Sequence, residues 1–264
     1  MFFILPSSPS SKMDTHAKQH SQEERKDHEE GLKALNAASL AGVRRVTVIF
    51  PGLELFRGSL TSSGADCLVN AANEGLQGGG GVDGHLHALA AGCASAGEHQ
   101  PSGCPLCAEI QERFPADAVG ARLATGSAVT TRAYGVPGAR VMVHTVGPYL
   151  DEQGNPQPAL LASCYKSSLR EAYAAGAQVV AFPAISTGYY GYPMAAAGQV
   201  AVEAVTAYFE EAAASGGAAA AWRPRVLLTA LSQLQGDILE ALLGGTGEGV
   251  QQAAGGAAAG GAAP

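Results

Sequence analysis

Strand-like and helix-like segments alternate along the middle of the chain. Short apolar runs rich in β-branched residues predict strands at 46–50, 67–69, 141–146, 179–182 and 226–228. Between them, two longer segments place apolar side chains at helical spacing, and they are 159–175 and 194–212. This alternation predicts an α/β domain in which helices cover both faces of a largely parallel sheet.

The two ends of the chain lack this alternation. Within residues 1–42, the segment 6–30 is polar and mixed in charge, which predicts a disordered or weakly helical extension. Residues 244–264 consist almost wholly of Gly, Ala and Gln and offer nothing to bury, so we expect a flexible tail. The 264-residue chain is therefore predicted to hold one domain, at 43–243.

The amino-acid composition limits which binding partners and which cellular compartment we expect for this protein. A formal net charge of −7 argues against specific binding to duplex nucleic acid. No apolar run is long enough for a membrane-spanning helix. Five cysteines, an odd number, fit reduced thiols better than a disulfide framework, so we expect a cytoplasmic or nuclear protein. The Ser-rich segment 6–12 leaves import into an organelle open, and we expect a monomer.

A glycine-rich segment follows the second predicted strand, and we call residues 70–84 the glycine loop. Its four consecutive glycines, 78–81, allow a ligand to touch the main chain just before a predicted helix, whose free N–H groups favour an anion. A flexible turn is the alternative, but the flanking Asn70, Asn73 and Asp83 favour a lined pocket. The match to G-x-G-x-x-G is weak, and there is no G-K-[ST] phosphate loop.

A second small-residue segment follows the predicted strand at 179–182, and we call residues 183–193 the tyrosine loop. Hydroxyl residues and glycines there predict a backbone nest for an anion before the next helix. We expect Tyr190, which lies close to two glycines, to line the site and Tyr192 to cover the sheet. His144, inside an apolar strand, is expected to be a hydrogen-bonded core histidine rather than a base.

Five segments together resemble the macrodomain family, and within it the branch that hydrolyses ADP-ribosyl esters. They are LVNAAN at 68–73, GGGGVDG at 78–84, VHTVGP at 143–148, CYKSSL at 164–169 and ISTGYYGYP at 185–193. The resemblance implies a three-layer α/β/α fold with a mixed, largely parallel central sheet. It also implies that ADP-ribose binds in a cleft at one edge of that sheet.

The resemblance implies particular roles for residues of both loops. Asn73 would hydrogen-bond the distal ribose and Asp83 would position or activate the attacking water, as the catalytic pair. The phosphates would be bound by the tyrosine loop, through Ser186, Thr187, Gly188, Tyr189 and Tyr190. Further ligand contacts are implied for Ser59, Leu60, Asn70, Ala71, Gly79, Gly80, Gly81 and Val82.

The activity implied by the resemblance is removal of mono-ADP-ribose from acidic side chains, deacetylation of O-acetyl-ADP-ribose, or both. Mono-ADP-ribosylated proteins and O-acetyl-ADP-ribose are then the expected partners, and no cofactor is required. Two alternatives remain open: a non-catalytic module that reads ADP-ribose, and a phosphatase acting on ADP-ribose 1″-phosphate. The family usually has Gly-Asp-Ile where this chain has Gly58-Ser59-Leu60, which implies weaker or less selective adenine binding.

The segment 91–124 is longer than the family pattern and unlike it. It contains Cys104 and Cys107 at a spacing that zinc ligands use, with Cys93 and His99 upstream. A single C-x₂-C pair is a weak signal on its own, and the motif differs from that of zinc-bearing macrodomains. We therefore expect a surface loop here and no metal.

Overall fold

A mixed β-sheet forms the centre of the protein. The computed structural model describes residues 52–244 and 251–252. The strands are β1 (Leu53–Arg57), β2 (Cys67–Ala72), β3 (Ala128–Arg132), β4 (Val141–Val146), β5 (Val179–Phe182), β6 (Arg225–Ala230) and β7 (Gln251–Gln252). They are arranged in the order β3-β4-β2-β5-β6-β1-β7, and only the β3–β4 pair is antiparallel. The predicted mixed, largely parallel sheet is confirmed.

Helices cover both faces of this sheet. The described residues form α1 (Gly81–Ala90), α2 (Pro105–Arg113), α3 (Pro158–Ala174), α4 (Met194–Ser215) and α5 (Gln233–Leu243). Helix α1 packs on β2 and on α2, whereas α3 packs on β3 and β4 and α5 packs on β1 and β6, with α4 between α3 and α5. The result is the three-layer α/β/α arrangement expected from the resemblance. No helix in residues 52–244 is long and apolar enough to cross a bilayer.

The buried core explains why the apolar runs became central strands. On one face, Leu68 and Met142 join Leu86 of α1 and Leu106 of α2 in a continuous apolar cluster. On the other face, the ring of Tyr165 from α3 lies 5.1 Å from that of Phe182. Strands β2, β4 and β5 are thus buried on both sides, which is what near-continuous apolar runs predict.

The sequence located most of these elements. The strands predicted at 141–146 and 179–182 occur with those bounds, and those at 67–69 and 226–228 are longer than predicted. Both predicted long helices are confirmed. The strand predicted at 46–50 lies outside the described residues, as does the predicted extension at 1–42; of the predicted tail, only Gly244 and the strand at 251–252 are described. Strands β1 and β3 were not predicted.

The expectation of a surface loop across 91–124 is wrong for residues 105–113, whereas most of the other residues in that segment are exposed. Residues 105–113 form α2, which begins with Pro105 in its first turn, where proline is tolerated, and buries Leu106, Cys107 and Ile110. These positions share one face of a helix and pack against α1 and β3. Helix α2 is therefore part of the folded core.

Five loops that leave strand ends meet at one edge of the sheet. They follow β1, β2, β4, β5 and β6, which all run parallel, so their carboxyl ends lie side by side. In open α/β sheets ligands bind at this edge. The glycine loop crosses closely over α1: a Cβ on Gly84 would lie 1.8 Å from the carbonyl oxygen of Gly79, so position 84 requires glycine.

Candidate active site

A cleft of about 1150 Å³ opens at the carboxyl edge of the sheet. All five loops contribute to it, and its size suits a ligand larger than a single sugar or phosphate. It brings together most residues that the sequence singled out, which are Ser59, Leu60, Ala71, Asn73, Gly80, Gly81, Val82, Asp83, Ser186, Thr187, Gly188, Tyr189 and Tyr190. The glycine loop and the tyrosine loop therefore form two walls of one cavity.

Two residues expected to contact a ligand lie outside this lining. Asn70 is fully buried, because it occupies the face of β2 that α1 covers, and it contacts Asp83 and His144 instead. Gly79 is exposed, but its carbonyl is turned toward Gly84 at the start of α1. Asn70 can thus act on the site only by positioning Asp83.

Asp83 is the carboxylate of the cleft. It lies in the first turn of α1 with 5% of its surface exposed. Its Oδ1 accepts a 2.7 Å hydrogen bond from Asn70 Nδ2, and its Oδ2 accepts one of 3.2 Å from Asn73 Nδ2. Burial raises the pKa of Asp83 to about 6, and the hydrogen bonds from Asn70 and Asn73 oppose that shift. The carboxylate is therefore fixed in direction and still ionised at neutral pH.

Asn73 is held as firmly as the acid it contacts. Besides its bond to Asp83, its Nδ2 donates to the carbonyl oxygen of Gly78 at 2.6 Å. Its Oδ1 accepts from the backbone N–H of Gln77 at 3.4 Å. The amide thus ties the glycine loop to Asp83, while the side chain still lines the cleft.

Behind these groups lies a buried polar chain. His144 Nδ1 is 3.1 Å from Asn70 Nδ2, and His144 Nε2 is 2.9 Å from the hydroxyl of Thr131. Burial, with a smaller contribution from His87, lowers the pKa of His144 to about 3, so its ring is neutral. The expected core histidine is confirmed, and its role is to support Asn70.

The glycine loop presents main-chain donors to the cleft. Helix α1 begins at Gly81 after Gly80, and no side chain caps its first turn. The N–H groups of a helix's first turn have no partner inside the helix, and they attract anions. Gly78 and Gly81 adopt φ values of +75° and +61°, which favour glycine and let the backbone turn toward the cavity.

The tyrosine loop is a chain of tight turns. The N–H of Thr187 donates to Ala184 and that of Gly191 to Gly188, at 3.3 and 2.9 Å. Ser186 has a φ of +65°, which costs a non-glycine residue about 1–3 kcal/mol. Its buried Oγ has no hydrogen-bond partner. Strain and an unsatisfied hydroxyl at the same residue indicate that the loop is arranged for a ligand.

Several residues of the cleft were not named as ligand contacts from the sequence, although Ala72, Pro183 and Ala184 lie within the two predicted loops. The residues not named are Gly58, Thr61, Ala72, His85, Gly147, Tyr149, Pro183, Ala184, Thr229, Leu231 and Gln235. Gly147 and Tyr149 follow β4, so the rule that ligands bind at strand carboxyl ends could have located them. Thr229 is the last residue but one of β6 and Gln235 belongs to α5, and only the sheet order shows that they meet the other loops.

Tyr149 adds an aromatic wall. Its ring stacks on that of Tyr190, with centroids 3.7 Å apart and planes 24° from parallel. Tyr189 lies beside them and is 94% exposed. At the other end of the cleft, the Ser59 hydroxyl is 3.0 Å from that of Thr61. The cleft thus has a flat aromatic side near Asp83 and a small hydroxyl pair at the loop after β1.

The cleft lining carries no set of three or more histidine, cysteine or acidic side chains at metal-binding distance, among the residues the structure describes. Such a set occurs beside the cleft instead, around His87 of α1.

The chain is similar in sequence to known macro domain proteins. The sequence model of the Macro domain family matches residues 69–201. The chain is 44% identical over 161 residues to a macro domain-containing protein of Streptomyces griseus, covering 61% of this chain and 82% of that protein. It is 42% identical over 156 residues to the O-acetyl-ADP-ribose deacetylase of Cronobacter sakazakii, covering 59% and 78% of the two chains.

The fold is also similar to that of solved macrodomain structures. The Oceanobacillus iheyensis macrodomain with ADP superposes with a TM-score of 0.56 at 30% identity, over 70% of this chain and 86% of the other. The Trypanosoma brucei macrodomain in complex with ADP-ribose gives a TM-score of 0.58 at 28% identity, over 76% and 75%. Both are similar in fold and in sequence to the described domain.

Proposed function

This chain belongs to the macrodomain family, and on that premise we propose that it is a hydrolase that binds ADP-ribose in the cleft and cleaves an ester at the distal ribose. Its substrates are O-acetyl-ADP-ribose and proteins carrying mono-ADP-ribose on acidic side chains. The pair Asn73 and Asp83 acts on the ester, and the tyrosine loop binds the pyrophosphate.

The observation that carries this proposal is the placement of Asp83. A buried carboxylate stands beside uncapped main-chain N–H groups at the start of α1, oriented by two amides. A site that only binds a pyrophosphate has little use for a negative charge at that point, because the charge repels the ligand. A site that must activate water beside a bound ribose needs a fixed base there.

The reaction follows from that placement. With the distal ribose on the glycine loop and Asn73 on its hydroxyls, a water molecule near Asp83 attacks the acyl carbon of the ester. Asp83 accepts a proton from the water as the new C–O bond forms. The bond from the acyl carbon to the ribose oxygen breaks, and the proton passes to that oxygen. The products are ADP-ribose and a carboxylic acid.

Two observations favour an ADP-ribosyl ester as the substrate. Relatives at about 40% identity bear the name O-acetyl-ADP-ribose deacetylase, which favours an ester at the distal ribose. An ADP-ribosyl glutamate or aspartate carries the same ester bond, so the same water and base serve both substrates. The cleft is open at Tyr189, which is 94% exposed, and so leaves room for an attached protein chain.

The test is a comparison of three substrates with the full-length chain. We expect acetate release from O-acetyl-ADP-ribose and ADP-ribose release from a protein modified on glutamate. ADP-ribose 1″-phosphate should be turned over at least tenfold more slowly. Turnover of the phosphate alone would make the protein a phosphatase. Absence of turnover of all three, with ADP-ribose still bound by calorimetry, would make it a reader module and overturn the proposal.

A further inference from the structure

We propose that His87, His99, Cys104 and Cys107 form a structural zinc site beside the cleft. The four side chains come from three separate places in the chain: α1, the segment after the 3₁₀ turn Ala96–Glu98, and the start of α2. None of them lines the cleft. The inference does not depend on the proposed hydrolase activity.

Distances within the cluster match those around a tetrahedral metal ion. The four candidate ligand atoms all lie within 4.8 Å of one another. Cys107 Sγ is 3.4 Å from His87 Nδ1 and 3.4 Å from His99 Nε2. With Zn–S near 2.3 Å and Zn–N near 2.0–2.1 Å, tetrahedral ligands lie about 3.3–3.8 Å apart. Side-chain shifts of about 1 Å therefore suffice to enclose the ion.

The ligand types and their spacing also fit zinc. Two cysteines separated by two residues, with two histidines, form one of the common closed sets of structural zinc sites. Cys104 is the N-cap of α2, and its sulfur accepts a hydrogen bond from the backbone N–H of Cys107 at 3.4 Å. Both sulfurs thus lie in the first turn of α2, close to His87 of α1.

The burial of these four side chains is a separate observation in favour of a zinc site. Cys104, Cys107 and His87 are buried, and His99 is half-buried. His87 Nε2 is enclosed and has no hydrogen-bond partner, although Asp83 Oδ1 lies 3.5 Å away. If Nδ1 of His87 binds zinc, its Nε2–H points toward the Asp83 carboxylate. Metal-bound histidines usually place their second nitrogen against such an acceptor.

The site explains how the inserted segment is held in place. All four coordination positions would be filled by protein, as in structural rather than catalytic zinc sites. The ion would fasten α2 and the turn before it to α1, the helix that carries Asp83. A disulfide between Cys104 and Cys107 is the competing arrangement, but it leaves both histidines without a function.

The first experiment measures metal in the full-length chain, purified in the non-chelating reductant TCEP. We expect one zinc per chain by elemental analysis. After zinc removal, Co²⁺ should restore a visible d–d spectrum of tetrahedral cobalt together with a thiolate-to-cobalt charge-transfer band. Chain that holds no zinc and gives no such spectrum would overturn the proposal.

Variants separate the four ligands from other thiols. Cys107→Ser should abolish the charge-transfer band or reduce it by half, and His99→Gln should weaken Co²⁺ binding at least tenfold. His99 is half-buried, so that variant tests the site even if Cys107→Ser fails to fold. Cys93→Ser is the matched control, because Cys93 lies in the same segment, its thiol donates to the Glu98 carbonyl oxygen, and it is not part of the four-residue cluster. A cobalt spectrum that is unchanged in both His99→Gln and Cys107→Ser would contradict the assignment.

Discussion

The side-chain amide of Asn70 donates a 2.7 Å hydrogen bond to Oδ1 of Asp83, from a position that no ligand in the cleft can reach. Asn70 is itself held by His144, which is held by Thr131. The direction of the Asp83 carboxylate is therefore set by a buried chain of polar groups that begins on β3. This arrangement separates the residue that positions the base from the residues that bind the ligand.

Replacement of Asn70 should impair turnover far more than binding. In Asn70→Ala, Asp83 loses one of its two hydrogen bonds, and a displacement of about 1 Å can cost about 10²-fold in rate. We expect kcat for O-acetyl-ADP-ribose to fall ten- to hundredfold, while Kd for ADP-ribose by calorimetry changes less than threefold. Asn155→Ala, in an exposed loop, serves as the control. Equal losses in kcat and affinity would instead place Asn70 against the ligand.

Gly147 limits how closely the loops after β4 and β5 can approach. A Cβ at this position would lie 2.2 Å from Ser186 Oγ and 2.7 Å from Ile185 Cγ2. Gly147→Ala should push the tyrosine loop outward and weaken ADP-ribose binding at least tenfold, as measured by calorimetry. Gly217→Ala is the control, because its Cβ would meet only a serine hydroxyl at 3.8 Å. Unchanged affinity in Gly147→Ala would show that the loop does not contact the ligand.

The stack of Tyr149 on Tyr190 should contribute to affinity by holding Tyr190 over the cleft. Such an aromatic pair stabilises by about 0.5–1.5 kcal/mol beyond its buried area. Tyr149→Ala should therefore raise Kd for ADP-ribose about two- to tenfold, as titration calorimetry would detect. Tyr149→Phe keeps the ring and should bind like the wild type. If Tyr149→Phe binds as weakly as Tyr149→Ala, the hydroxyl rather than the stack is responsible.

Local sequence patterns located the two loops that carry most of the site. Each of these two loops, the glycine loop and the tyrosine loop, is a single unbroken segment of sequence. Each follows a strand with a clear apolar run and leads into a helix. Their composition alone therefore indicated backbone donors beside a pocket. The same reasoning erred at Asn70, because the alternation of side chains along β2 turns it toward α1, away from the cavity.

Other parts depend on contacts that no local pattern displays. In the sheet, β6 lies next to β5. This neighbourhood brings three residues of β6 and the segment after it into the cleft, which are Thr229, Leu231 and Gln235. The sequence associated His99 with the Cys104–Cys107 pair but not His87, because His87 precedes Cys104 by 17 residues and reaches the pair only through the packing of α1 on α2. Strand β3 has few large apolar residues, so its pairing with β4 was not visible either.

The most direct test of the account is the effect of Asp83→Ala on turnover and on binding, measured side by side. If Asp83 is the base, its loss should lower kcat for O-acetyl-ADP-ribose by about 10²–10⁴-fold. Calorimetric affinity for ADP-ribose should stay the same or rise, because a negative charge near the ligand has been removed. Turnover that persists within threefold of the wild-type rate would contradict the central claim that Asp83 activates the attacking water.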